Sequence, residues 1–187
     1  MQRSLVGSEM CIRDRSYPGH LYFFNYVKQQ GWHPINFFVS NIGFEEGWAE
    51  YAARLSLDSW GLDPDMMEVI FLDQEFSYLL MGLSDIGINY GGWTVDDVYD
   101  LWETYFYLDS AEDVRDVYDA CMAEPGTILS YSIGYYQICD LEEEVKEMLG
   151  ESFDHNEFVT ELLSVGGASF DITRSYIMEW ANEKLHG

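Results

Sequence analysis

The chain has 187 residues, of which 48% are hydrophobic and 17% aromatic, and it carries a formal net charge of −25. Such a length holds one domain with a real core, and the apolar content excludes a disordered chain. So acidic a surface repels phosphate and argues against nucleic acid as a partner, and no apolar run approaches the roughly 18 residues of a membrane span.

The first segment, Ser4-Leu-Val-Gly-Ser-Glu-Met-Cys-Ile-Arg-Asp-Arg15, resembles the translation of a transposase-library sequencing adapter in one frame, without a mismatch. Residues 1–15 are therefore expected to be adapter-derived and the native sequence to start at about Ser16. The segment holds three arginines and two acids, a net +1, so removing it moves the charge from −25 to −26. The acidity belongs to the remainder.

From Ser16 onward the pattern is helical. Gly19 to Gln30 is apolar and aromatic before Gly31 and Pro34 interrupt it. From about Gly43 to Trp60, Phe44, Trp48, Tyr51, Ala52 and Leu55 recur at helical spacing, with Gly61 as a stop. Asp63-Pro64 opens a helix to about Tyr90, where Gly91-Gly92 end it. Thr94-Val-Asp-Asp97 is an N-cap with acids in the first turn, and Ser110-Ala-Glu-Asp113 repeats that grammar. A helix from about Gly126 to Leu149 stops at Gly150. Asp154 to Val165 and Asp171 to Leu185 complete an all-α set over residues 16–187, read as one unit.

Acidic runs such as Leu141-Glu142-Glu143-Glu144 fit an exposed helix side. Cys11, Cys121 and Cys139 have no metal or disulfide spacing, and the last two, in helical segments, read as structural thiols.

Two motifs stand out: Tyr17-Pro18-Gly19-His20, and Gly43-Phe44-Glu45-Glu46-Gly47-Trp48-Ala49-Glu50-Tyr51. Singly, such a histidine is usually structural and such a glutamate usually solvated. Together they resemble a bacterial family labelled domain of unknown function 885, regarded as zinc metallopeptidases. Its motif reads His-Glu-x-x-Pro-Gly-His, followed by Glu-Gly-Trp-Ala-x-Tyr. The likeness continues through Asp85-Ile-Gly-Ile-Asn-Tyr-Gly-Gly-Trp93, Pro125 to Tyr135 with its Tyr131-x-x-Gly134, and Leu149 to Phe170. It spans the family's C-terminal portion, which implies the C-terminal part of a larger helical metallopeptidase-like fold. The N-terminal region of the same chain is then its missing partner.

What the resemblance implies is a Zn²⁺ site hydrolysing a peptide substrate. His20 is then the second histidine ligand and Glu46 the carboxylate ligand, matching the His₂Glu set of catalytic zinc. The first histidine and the general-base glutamate fall on Asp14 and Arg15, so the chain as it stands is expected to be inactive. The two histidines stand six positions apart, about 240° on a regular helix, and a kink at Pro18-Gly19 can bring them together. Glu50, one turn after Glu46, either supports the ligand or is a solvated helix charge. Tyr131 is a candidate hydrogen-bond donor to an oxyanion, although a helical tyrosine more often packs its ring. His33 reads as a loop residue. His155 lies near a Phe-His pair of the family, but Val159 follows Phe158 here. The competing expectation is a non-catalytic helical binding module, or a degenerate family member.

Overall fold

The structure, a computed structural model, describes residues 15, 17–31, 35, 39, 41–57, 61 and 63–187. The expected adapter-derived segment, Arg15 apart, therefore lies outside the described residues. So do Cys11, Ser16, His33, Pro34 and Trp60.

Eight α-helices run through the described residues, which contain no strand: α1 His20–Gln29, α2 Ile42–Leu55, α3 Pro64–Asn89, α4 Val95–Trp102, α5 Arg115–Ala123, α6 Thr127–Leu149, α7 His155–Val165 and α8 Phe170–His186. Single 3₁₀ turns, Ala111–Val114 and Gly150–Ser152, precede α5 and follow α6. The all-α expectation is met.

Local chemistry sets the helix ends. Asn41 caps α2 by accepting from the Phe44 amide, and Asp63 caps α3 with Pro64 in the first turn. Thr94 and Asp97 form a reciprocal capping box at α4, and Ser110 and Asp113 form another on the 3₁₀ turn. Gly166 closes α7 at φ 75°, a left-handed cap that glycine adopts without a side-chain clash. One boundary differs from the sequence expectation. Helix α2 stops at Leu55, with Ser56 as its C-cap, the amide shared between the Ala52 and Ala53 carbonyls and the hydroxyl donating to Ala53. The rest of the expected helix, residues 58–60, lies outside the described residues.

The chain forms two compact units, Met1–Leu62 with Ile133–Gly187, and Asp63–Ser132. No linker composition marks the boundary, because one edge falls inside α6. In the first unit, Phe23 and Val27 of α1, Phe44, Trp48 and Tyr51 of α2, and Ile138, Leu141, Val145 and Leu149 of α6 form a core with Phe158, Leu162 and Ile177. Their three-, four- and seven-residue spacings give each helix one buried stripe.

Within this unit α2 and α6 touch backbone to backbone. A methyl on Gly134 would fall 2.9 Å from Gly47 Cα, and one on Gly47 would fall 2.6 Å from Gly134 Cα. Glycine at both positions is what lets the helix bearing Glu46 lie this close to α6.

The second unit packs α3 to α5 around Ile88, Val98, Val114 and Cys121. Asp85, 1% exposed, accepts from the Gly126 amide at 2.8 Å and from Asn89 Nδ2 at 2.7 Å, while Asn89 also donates to the Cys121 carbonyl. Trp93 lies where a side chain on Gly87 would be, which accounts for glycine at that point of the Asp85–Trp93 motif. Cys121 is buried, as expected, and burial followed by the Asp85 charge pushes its thiol up to about 11. Cys139 is half-buried. No helix among the described residues is long and apolar enough to cross a membrane.

Candidate metal site

Tyr17 to Gly19 form a turn containing a cis Tyr17–Pro18 peptide, and α1 starts at His20. The histidine thus opens a new helix after the Pro-Gly break. The indole of Trp48 donates to the Gly19 carbonyl at 3.3 Å, tying α2 to the residue before the histidine. Across that tie, His20 Nε2 lies 3.2 Å from Glu46 Oε2, although the two are 26 residues apart. Their side chains are 19% and 17% exposed, so the pair is reachable yet mostly shielded.

The adjacent Glu45 carboxyl is raised by burial, which outweighs the nearby His20 charge pulling it down. Glu50 is 5% exposed, so the solvated-charge reading of that residue is wrong. It sits inside the unit on the same helix as Glu46, one turn on. Tyr131 belongs to the other unit, its ring stacked on Tyr78 at 5.2 Å between centroids, in line with the packing role.

A second polar cluster lies on the opposite flank of α2, in the same unit. Tyr51 donates to Glu142 Oε2 at 2.8 Å, His155 Nδ1 lies 2.9 Å from Glu142 Oε1, and Lys146 Nζ lies 2.9 Å from the same oxygen. Burial raises the Glu142 carboxyl, but the hydrogen bonds from Lys146, His155 and Tyr51 outweigh it and hold the group below its ordinary value. The Tyr51 hydroxyl is pushed well above its ordinary range, first by burial and then by the Glu142 charge. Glu142 is 9% exposed, which corrects the expectation that the Leu141–Glu144 run lies on an exposed helix side. Only Glu143 within it is exposed; Leu141 is core.

The rings of Tyr22, Trp48, Tyr51 and His155 form a continuous row, with successive centroids 6.1–6.4 Å apart. This row spans α1, α2 and α7. Trp48 and Tyr51, neighbours in this row, lie on one side of α2, and Glu46 lies on the other. The sequence motif contains Trp48 and Tyr51 but says nothing of Glu142, whose tie to Tyr51 bridges 91 residues.

An imidazole nitrogen and a carboxylate oxygen brought together from two helices are donors that suit zinc. A catalytic zinc takes three protein ligands, and among the described residues no group of three or more His, Cys, Asp or Glu is placed to hold a metal ion. The residues present fit two positions of such a site.

The fold has solved relatives. The crystal structure of a protein titled "putative lipoprotein" from Colwellia psychrerythraea matches at a TM-score of 0.81 and 22% identity, covering 95% of this chain and 31% of that one. A protein from Shewanella oneidensis titled "putative lipoprotein of unknown function" matches at 0.77 and 22% identity, covering 90% of this chain and 31% of its own. The chain thus spans about a third of the length of these structures, and the likeness is one of fold. No curated protein matches. A family model described as "Bacterial protein of unknown function (DUF885)" matches residues 5–177, a span that takes in part of the segment read as adapter-derived. On that match, which covers nearly the whole chain and both candidate ligands, the chain belongs to the DUF885 family.

Proposed function

We propose that this chain carries two of the three protein ligands of a hydrolytic zinc site, His20 and Glu46, in a protein that cleaves peptides. The observation that carries the reading is the 3.2 Å approach of His20 Nε2 to Glu46 Oε2, between helices, at the two positions where the motifs put ligands. Bound there, Zn²⁺ supplies Lewis acidity toward a peptide carbonyl and acidifies water. The chain's own residues do the positioning. Trp48 ties α2 to Gly19, the Gly47–Gly134 contact fixes its depth, and Tyr51 ties it to Glu142. Buried Glu50 extends the carboxylate face behind Glu46. The third ligand and the general base belong, on this reading, at positions 14 and 15, where Asp and Arg now stand.

The test is to make Asp14→His with Arg15→Glu in the 187-residue chain and measure zinc per chain by elemental analysis after dialysis. One zinc per chain is expected, lost on adding Glu46→Ala or His20→Ala. Metal content no higher than in the unaltered chain, or unmoved by Glu46→Ala, overturns the reading. The unaltered chain should hydrolyse no peptide in a chelator-sensitive manner. A second reading, a helical binding module without catalysis, is favoured by the Asp and Arg that stand at positions 14 and 15. It gains if the altered chain stays metal-free.

A further inference from the structure

The unit Asp63–Ser132 holds 16 acidic side chains and one basic one, Arg115, a net −15 in 70 residues. Asp85 is buried, and Glu68 and Glu75 interact within the chain. The other thirteen acids are all exposed, and Arg115 pairs with one of them, Glu112, at 3.7 Å. Asp63, Asp97 and Asp113 serve as caps at helix starts. Elsewhere like charges crowd: Asp96 and Asp100 lie one turn apart on α4, and Asp116 and Asp119 do so on α5.

The core that holds this charge together is small. Seven apolar side chains are buried in the unit, against eighteen among the described residues of the other. That other unit is also less charged, at −11 over residues 16–62 and 133–187. Two of its cations bridge helices: Arg174 of α8 donates to Glu144 of α6 through two nitrogens, and Lys184 of α8 pairs with Glu157 of α7. Salt therefore acts on the two units with opposite signs. It relieves repulsion in the first and weakens bridging pairs in the second.

Length scales decide how far the repulsion reaches. A compact unit of 70 residues has a radius of gyration of about 11 Å. The screening length is about 30 Å at 0.01 M salt and about 3 Å at 1 M. In dilute solution every exposed acid repels every other across the unit. Molar salt confines the repulsion to immediate neighbours.

We propose that the Asp63–Ser132 unit is an ionic-strength-dependent element of the fold, tight in a salt-rich medium and loosened in a dilute one. A diffuse atmosphere of monovalent cations holds it, rather than a bound ion. The inference rests on charge and burial within the unit and is independent of the zinc reading.

Hydrogen–deuterium exchange of the 187-residue chain, read by mass spectrometry on peptides from each unit, tests it. Rates are corrected with unstructured peptides in the same salt. Raising NaCl from 0.01 to 1 M should slow the most protected amides of residues 63–132 at least tenfold, and KCl should do the same. Peptides from residues 133–187 should slow threefold or less. Asp73→Asn, Asp100→Asn, Asp119→Asn and Glu124→Gln together take the unit from −15 to −11. Repulsion follows the product of the charges, so it falls to roughly half and the tenfold response shrinks to about threefold. Equal slowing of both units, or none in either, overturns the proposal. A response absent in NaCl but complete in millimolar CaCl₂ overturns it in favour of a discrete divalent site. A variant that responds as strongly as the unaltered chain overturns it as well.

Discussion

Replacing Gly134 with alanine sets two terms of opposite sign against each other. In an exposed helix interior, glycine to alanine stabilises by about 1 kcal/mol. At Gly134 the new carbon would sit 2.9 Å from Gly47 Cα and 3.0 Å from the Gly43 carbonyl carbon, and against the Gly43 carbonyl oxygen. Carbon atoms pack at roughly 3.5–4.0 Å, so the carbon contacts alone require α2 and α6 to separate by roughly 0.5–1 Å, and the closer carbonyl oxygen requires more. The obstructing atoms are backbone, and no rotamer change relieves them. Separation loosens Trp48 and Tyr51 against Ile138 and Leu141 in the same core. Overpacking costs about 1–3 kcal/mol, and a backbone-to-backbone clash belongs at the top of that range. The net expectation is a loss of about 2 kcal/mol. Urea unfolding followed by circular dichroism should show the midpoint falling by about 1 M, taking a slope of about 2 kcal/mol per M. Gly82→Ala is the internal control, since its methyl meets only the turnable end of Leu129, 3.1 Å away. A Gly134→Ala midpoint equal to or above that of the parent would refute the close-approach reasoning.

Glu142→Gln should cost about 1–2 kcal/mol at neutral pH, because a charge-assisted acceptor of Tyr51, His155 and Lys146 is lost. The pH dependence has a definite sign. The Glu142 carboxyl is lowered from 4.5 by folding, so its contribution is complete above about 4.5 and disappears as pH falls through the lower folded value. The gap between parent and variant should therefore narrow in acid, and a gap constant from pH 7 to pH 3 would contradict the assignment. Asp85→Ala should cost about 2–3 kcal/mol by stripping the buried Gly126 amide and the Asn89 side chain of their acceptor. Calorimetry should register that as a melting temperature lower by about 4–10 °C, and a shift under 1 °C would sink the argument.

What the sequence conveyed was local. Asp63-Pro64, Thr94 with Asp97, and Asp154 with Glu157 act within four residues, so those helix starts could be read from the chain. The 3₁₀ turn ahead of α5 was visible only as a capping signal, since the same Ser-x-x-Asp grammar serves either helix type. His20 and Glu46 were found through motif resemblance rather than periodicity. The buried states of Glu50 and Glu142 were out of reach, because a glutamate's burial depends on partners set by tertiary packing. Glu142 lies 91 residues from Tyr51 and 13 from His155, and no local window contains all three. Gly47 and Gly134 looked like mere motif letters until the helices were seen to touch.

The two compact units are interleaved along the chain, and synthesis must contend with that. Asp63–Ser132 is contiguous and can collapse as soon as it leaves the ribosome. Helices α1 and α2 emerge earlier but must wait for α6, α7 and α8 before Phe23, Phe44 and Trp48 find their core. During that interval an aromatic-rich segment bearing His20 and Glu46 has only its own two helices for shelter. A nascent chain arrested just after Ser132 has cleared the exit tunnel is thus expected to hold one folded unit and one sticky, protease-sensitive one, the stage at which a chaperone would matter most.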